Sequence, residues 1–203
     1  MTRVVLASAS PRRRELLAAL LGTFEIAPSA VEETFGADPV AGAESLALAK
    51  ARDIAAKHPG AVVIGSDTIV FDDDRAYGKP EDERDALAMW QALRGRTHRV
   101  VTGVAVVAPG YEAAGHTISD VELANLDDAA IRAYVASGRP MDKAGAYAIQ
   151  DTDIGTVTRL EGCYCSVMGL PLWQLRALLA GAGVSCREPH ARRPECAACP
   201  GRD

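Results

Sequence analysis

Apolar and polar positions along the chain alternate between two rhythms. "RVVLAS" (residues 3–8) is a short apolar run of the kind a buried strand uses, and "RRELLAALLG" after it sets leucines at 16, 17, 20 and 21, along one helix face. "FEIAPS" reads as a strand ending at Pro28, and residues 41–58 as an alanine-rich amphipathic helix closed by Pro59-Gly60. "AVVIGSDTIVFDDDRAYGKP" (61–80) predicts an apolar strand, a polar interruption at Asp67 and Thr68, a second strand and a turn. "DERDALAMWQALRG" follows as a helix with Gly95 at its C-terminal cap.

The second half changes rhythm. Two long β-branched runs flank Pro109-Gly110 and predict an antiparallel hairpin. "DDAAIRAYVASG" is a helix with Asp127 as N-cap. "DKAGAYAIQ" (142–150) ends in an apolar, strand-like run before Gln150, "TVTRLEGCYCSVMG" also reads as strand, and "PLWQLRALLAGAG" is the last helix. Strands and helices that alternate first, with a hairpin later, predict a three-layer α/β fold around a mixed central sheet. The pattern defines one domain over 1–183, and periodicity is lost in a tail over 184–203.

Composition narrows the function. No apolar run approaches the roughly 18 residues of a membrane span, and "MTRVVLAS" lacks the apolar stretch and cleavage pattern of a signal peptide, so the expected location is the cytoplasm, without membrane contact. A net charge of −5 argues against coating nucleic acid. Within that acidic chain, "LASASPRRRELL" (6–17) concentrates positive charge at a helix start. Ser10-Pro11 is a good helix entry, and a helix that begins where a strand ends points free N–H groups into the loop. Ser8 and the guanidiniums of Arg12, Arg13 and Arg14 crowd the same place, which suits phosphate. A solvated basic face is the plain alternative.

Asp67 and Thr68 set a carboxylate where a buried strand reaches the sheet edge, the usual ligand side of an open α/β sheet. A turn aspartate bonded to local backbone is the alternative. Lys50 and Lys79 add charge if they face the same place, and Lys143 opens the segment that ends at Gln150. An amide both donates and accepts, so Gln150 can match the imide edge of uracil or thymine, or else cap a strand end.

Taken together, "LASASPRRRELL", "VEET", "LAKA", "GSDTIV", "GKP", "THRVVTGVAV", "DKAGAYAIQ" and "VMGLPL" resemble the Maf family of nucleoside triphosphate pyrophosphatases over about residues 3–180. The resemblance implies a two-lobed α/β fold with a deep cleft, similar to inosine triphosphate pyrophosphatases. It implies hydrolysis between the α- and β-phosphates to nucleoside monophosphate and pyrophosphate, with a divalent cation, Mg²⁺ or Mn²⁺, and a homodimer. By position it makes Asp67 the catalytic proton acceptor and ties Arg12, Thr68 and Gln150 to substrate choice. Ser8, Arg13, Glu33, Lys50, Lys79 and Lys143 fall on other active-site positions, and Glu33 and Asp67 are candidate Mg²⁺ ligands. Arginines after Ser-Pro, threonine after Asp67 and "AYAIQ" resemble the branch acting on dTTP and UTP. A non-catalytic, nucleotide-binding regulator of cell division and septum formation is the rival reading.

The tail lies outside that resemblance. Cys186, His190, Cys196 and Cys199 follow C-x3-H-x5-C-x2-C, a candidate structural Zn²⁺ set, against the alternative of an irregular tail with incidental cysteines. Five cysteines in all do not form a disulfide framework.

Overall fold

The computed structural model describes residues 2–34 and 36–200. In chain order the elements are β1 (Val4–Leu6), α1 (Pro11–Leu20), β2 (Glu25–Ile26), α2 (Pro39–Lys57), β3 (Val62–Phe71), β4 (Ala76–Tyr77), α3 (Glu83–Leu93), β5 (Thr97–Ala108), β6 (Tyr111–Leu123), α4 (Asp128–Ala136), β7 (Val157–Glu161), α5 (Tyr164–Val167) and α6 (Leu172–Gly181). The strands form one mixed sheet in the order β2-β1-β3-β5-β6-β7, with β4 beside β3. β1 runs parallel to both β2 and β3, whereas the β3–β4 and β6–β7 pairs are antiparallel. This is the mixed-sheet α/β class that the sequence pattern predicts.

Two compact units divide the chain. The first comprises Met1–Thr68, Val101–Thr117 and Cys163–Asp203, and the second Ile69–Val100 and Ile118–Gly162. In the first unit, Val5, Ala7, Val63 and Ala105 of the sheet pack against Ala47, Ala51 and Ile54 of α2. The helix lies unusually close to the strands. A Cβ at Gly65 would sit 2.0 Å from the Ala47 carbonyl oxygen, and one at Gly103 would sit 2.2 Å from that of Ala43. Only glycine admits a backbone-on-backbone approach of that kind. α2 begins at Pro39, two residues ahead of the predicted start, because Asp38 caps it by accepting from Val40 N at 2.9 Å and Ala41 N at 3.2 Å.

The second unit is built around Trp90 of α3 and Tyr134 of α4, whose rings meet edge to face at 5.9 Å. Asp82 and Asp127 cap those two helices, the latter as predicted.

Three expectations change. β3 is unbroken through Asp67 and Thr68, because every polar side chain in it finds a partner (below). The "AYAIQ" run is not a strand. Residues Ala144–Ala146 form a 3₁₀ turn with Ala146 at φ 56°, held where the Trp90 indole donates to the Ala146 carbonyl at 2.8 Å. The strand predicted over 156–169 stops at Glu161, and Cys163 then caps α5 by accepting from Ser166 N.

Candidate active site

The site in the first unit is assembled by a loop, a helix start and one strand. Ser10 caps α1 with Pro11 at the first helical position, as the sequence predicts, and its hydroxyl accepts from Arg13 N at 3.4 Å. Ser8 faces the same turn, accepting from Ser10 N at 3.2 Å and from Arg13 Nη1 at 3.4 Å. Arg13 is then fixed twice more. Its Nε donates to the Gly169 carbonyl at 2.9 Å, and its Nη2 donates to Thr68 Oγ1 at 3.1 Å. Burial pulls the Arg13 pKa down while Asp67 and Glu33 oppose that pull. Of the five N–H donors on a guanidinium, three are thus committed within the protein.

Hydrogen-bond direction can be followed onward from Thr68. Thr102 Oγ1 donates to the Ser166 carbonyl at 2.7 Å, which spends its only proton. Thr102 therefore accepts from Thr68 across 3.0 Å, and Thr68 accepts from Arg13. Arg13, Thr68, Thr102 and Ser166 form a chain in which every donor points the same way. Ser66, one residue before Asp67, holds the other end of the arginine clamp: its hydroxyl lies 2.9 Å from both the Gly103 and the Gly169 carbonyl oxygens.

Asp67 lies in the middle of β3, buried, with Lys50 of α2 beside it. Lys50 Nζ donates to Asp67 Oδ1 at 2.6 Å and to Glu33 Oε1 at 2.6 Å. Lys50 and Asp67 are each 5% exposed, whereas the Glu33 side chain is half exposed. A buried ammonium shared by two carboxylates is a preorganised charged group rather than a surface ion pair. Arg12, the residue before Arg13 at the same helix start, is half-buried. The structure therefore gathers Ser8, Arg13, Glu33, Lys50, Asp67 and Thr68 into one unit with Arg12.

The remaining predicted residues belong to the second unit. Gln150 is half-buried in a turn, and Lys79 is exposed. Lys143 donates to the Arg139 carbonyl and to Asp142 Oδ1, the latter at 2.7 Å. Sequence reasoning missed Ser66, Thr102 and Gly169. The first two are small hydroxyl residues inside apolar runs, which is the one signal that marked them.

The predicted zinc set does not assemble. Cys196 Sγ lies 3.0 Å from Cys165 Sγ instead, and Cys199 hydrogen-bonds Cys163. The Cys186 thiol turns to the Val184 carbonyl, and the His190 ring stacks on Trp173 at 5.9 Å. The cause is tail docking: the Trp173 indole donates to the Cys196 carbonyl at 2.9 Å, which turns that segment toward α5. Among the described residues, no group of three or more His, Cys, Asp or Glu side chains is arranged to hold a metal ion by itself. No helix among them is long and apolar enough to cross a membrane.

Known proteins resemble this chain closely. A dTTP/UTP pyrophosphatase of Moorella thermoacetica is 50% identical over 188 residues, covering 91% of this chain and 97% of that protein. Those of Thermomicrobium roseum and Deinococcus radiodurans are 44% and 43% identical, over 97% and 90% of this chain and 93% and 94% of theirs. The family model described as Maf-like protein matches residues 3–182, nearly all of the chain ahead of the cysteine-rich tail. With that extent of match, the chain belongs to the Maf-like protein family.

Proposed function

We propose that the chain is a nucleoside triphosphate pyrophosphatase that hydrolyses dTTP and UTP to the monophosphate and pyrophosphate. The observation that carries this is the buried Lys50–Asp67 pair set beside the pinned Arg13, in a chain whose relatives are named for that reaction. Lys50 holds Oδ1 of Asp67 and so fixes the carboxylate, which accepts the proton of the water that attacks the α-phosphorus. Arg13 is fixed by three acceptors and needs no reorganisation to oppose charge on the phosphates, the condition for electrostatic stabilisation of phosphoryl transfer. Ser8, Arg12, Lys79 and Lys143 are further phosphate-binding groups in this reading.

The family implies a divalent cation. Glu33 and Asp67 offer hard carboxylate oxygens, and Mg²⁺ commonly takes one or two carboxylates together with substrate phosphates and water. The donor set fits that pattern, with Glu33 and Asp67 as the residues that would hold the ion. When bound, such an ion supplies neutralisation of phosphate charge and polarisation of phosphoryl oxygens.

Gln150 is the base reader in this proposal, its amide matching the donor and acceptor of a pyrimidine imide edge. The proposed setting is a cytoplasmic homodimer. The test is a panel of nucleoside triphosphates assayed with Mg²⁺ and with Mn²⁺ for monophosphate and pyrophosphate. Turnover of dTTP and UTP well above purine nucleotides is expected. Release of orthophosphate, preference for a purine, or binding without turnover (the behaviour of a regulator) would overturn it.

A further inference from the structure

Four of the five cysteines lie together, and none of them is among the side chains assigned to the pyrophosphatase reaction. Cys163 and Cys165 flank the start of α5, and Cys196 and Cys199 come from the tail. All four are buried, at 2%, 1%, 1% and 6% exposure, while Cys186 stands apart. They meet in pairs across the junction of tail and body: Cys165 with Cys196 at 3.0 Å between sulfurs, and Cys163 with Cys199. The pairing matters, because among the described residues no three such side chains are placed around a common metal position.

We propose that Cys165 and Cys196 are a redox-modifiable dithiol, oxidised by hydrogen peroxide to a disulfide that fastens the tail to α5, with Cys163 and Cys199 as a second pair of the same kind. Three features support it. The sulfurs of Cys165 and Cys196 are in contact, and both residues sit in backbone fixed by neighbouring bonds, Cys165 through its carbonyl to Leu170 N at 2.9 Å and Cys196 through its carbonyl to the Trp173 indole. The two thiols are also unequal. The hydrogen bond from Cys165 holds Cys196 below the ordinary thiol range, helped by Arg193, while the same bond and burial push Cys165 up. Cys196, the lower of the two and beside Arg193, is the attacking sulfur in this proposal, because the thiolate is the nucleophile.

The chemistry balances in two steps. The Cys196 thiolate attacks one peroxide oxygen, giving Cys196 sulfenic acid as the O–O bond breaks, and the departing oxygen leaves as water after taking up a proton. The Cys165 sulfur then attacks the sulfenic sulfur, the S–O bond breaks, and the Cys165 proton leaves with the hydroxyl as a second water. Two thiols are oxidised and one peroxide is reduced to two waters.

The experiment uses the full chain with hydrogen peroxide, followed by alkylation and trypsin digestion without reductant. The expected result is a peptide 160–176 joined to the peptide 193–202, lighter than their sum by two hydrogens per disulfide and released by dithiothreitol. Fragment ions should place the first bond between Cys165 and Cys196, and Cys186 in peptide 177–187 should remain alkylated. Absence of the linked pair, or linkage through Cys186, would overturn the proposal. So would stoichiometric zinc on the purified protein with all four thiols unreactive until a chelator is added, because the cluster would then be a metal site.

Discussion

Replacing Lys50 by methionine isolates what the buried ammonium does. The substitution keeps the side chain's length and apolar stem and removes both bonds to carboxylates. The two partners will respond differently. Glu33 is half exposed and recovers water, so its loss falls in the range of about 0–1 kcal/mol typical of surface pairs. Asp67 is almost fully enclosed and keeps its charge without a counterion, and removing one partner of a buried pair costs about 3–5 kcal/mol. With a denaturation slope of about 2–3 kcal/mol per molar urea, the unfolding midpoint should fall by about 1–2.5 M. Urea titrations of both proteins at neutral pH measure this. A loss below about 1 kcal/mol would refute the argument that Asp67 depends on Lys50 for its charge. Glu33→Gln, measured beside it, should stay within about 1 kcal/mol of the parent.

Four other outcomes follow from the same geometry. Asp67→Asn should lower kcat for dTTP by about 10²–10³ or more while the fold persists, read by pyrophosphate release and circular dichroism; near-normal kcat would remove Asp67 from the chemistry. Thr68→Val takes the middle group from the directed chain behind Arg13 and should cost about 1–3 kcal/mol in kcat/KM, most of it in KM if Arg13 serves binding, and unchanged kinetics would show that Gly169 and Ser8 suffice to hold the arginine. Gln150→Glu should reduce dTTP and UTP use by a similar factor, about 10-fold or more, and leave other nucleotides less affected, whereas an unchanged panel would exclude base reading there. His98 is buried against the Tyr147 hydroxyl at 2.7 Å, and burial lowers its pKa from 6.5 to about 4. The unfolded chain takes up that proton first, so stability should decline between pH 6.5 and about 4, and His98→Gln should flatten that limb.

Much of the site was legible because its chemistry is written locally. Ser10-Pro11 announces a helix start, and three arginines behind it announce a concentration of positive charge. Asp67 stood out as the charge in an apolar strand. What stayed hidden depends on tertiary partners. Lys50 in "ALAKA" is indistinguishable from a solvated lysine until β3 brings Asp67 under it. Gly169 acts through a main-chain carbonyl, and nothing in its identity says which carbonyl an arginine 156 positions away will use. The tail was misread for a related reason. Spacing grouped Cys196 and Cys199 with their sequence neighbours, whereas docking paired them with cysteines more than thirty residues earlier. Gln150 follows an apolar run, but that run forms no strand: it leaves a 3₁₀ turn at Ala144–Ala146, whose last carbonyl a tryptophan from α3 takes.

The bare backbone contact under α2 makes the sheet a datum surface for the chemistry. Lys50 lies between Ala47 and Ala51, the residues whose main-chain atoms rest on Gly65. An alanine at position 65, its Cβ 2.0 Å from the Ala47 carbonyl oxygen, would force the helix outward by about 1.4 Å to restore ordinary contact, enough to stretch a short ammonium–carboxylate bond beyond useful length. The precision of the charged centre is therefore specified by residues with no functional group at all. A random-mutagenesis screen for lost turnover should return Gly65 and Gly103 beside the charged residues, and those hits would report machining tolerance rather than reactivity.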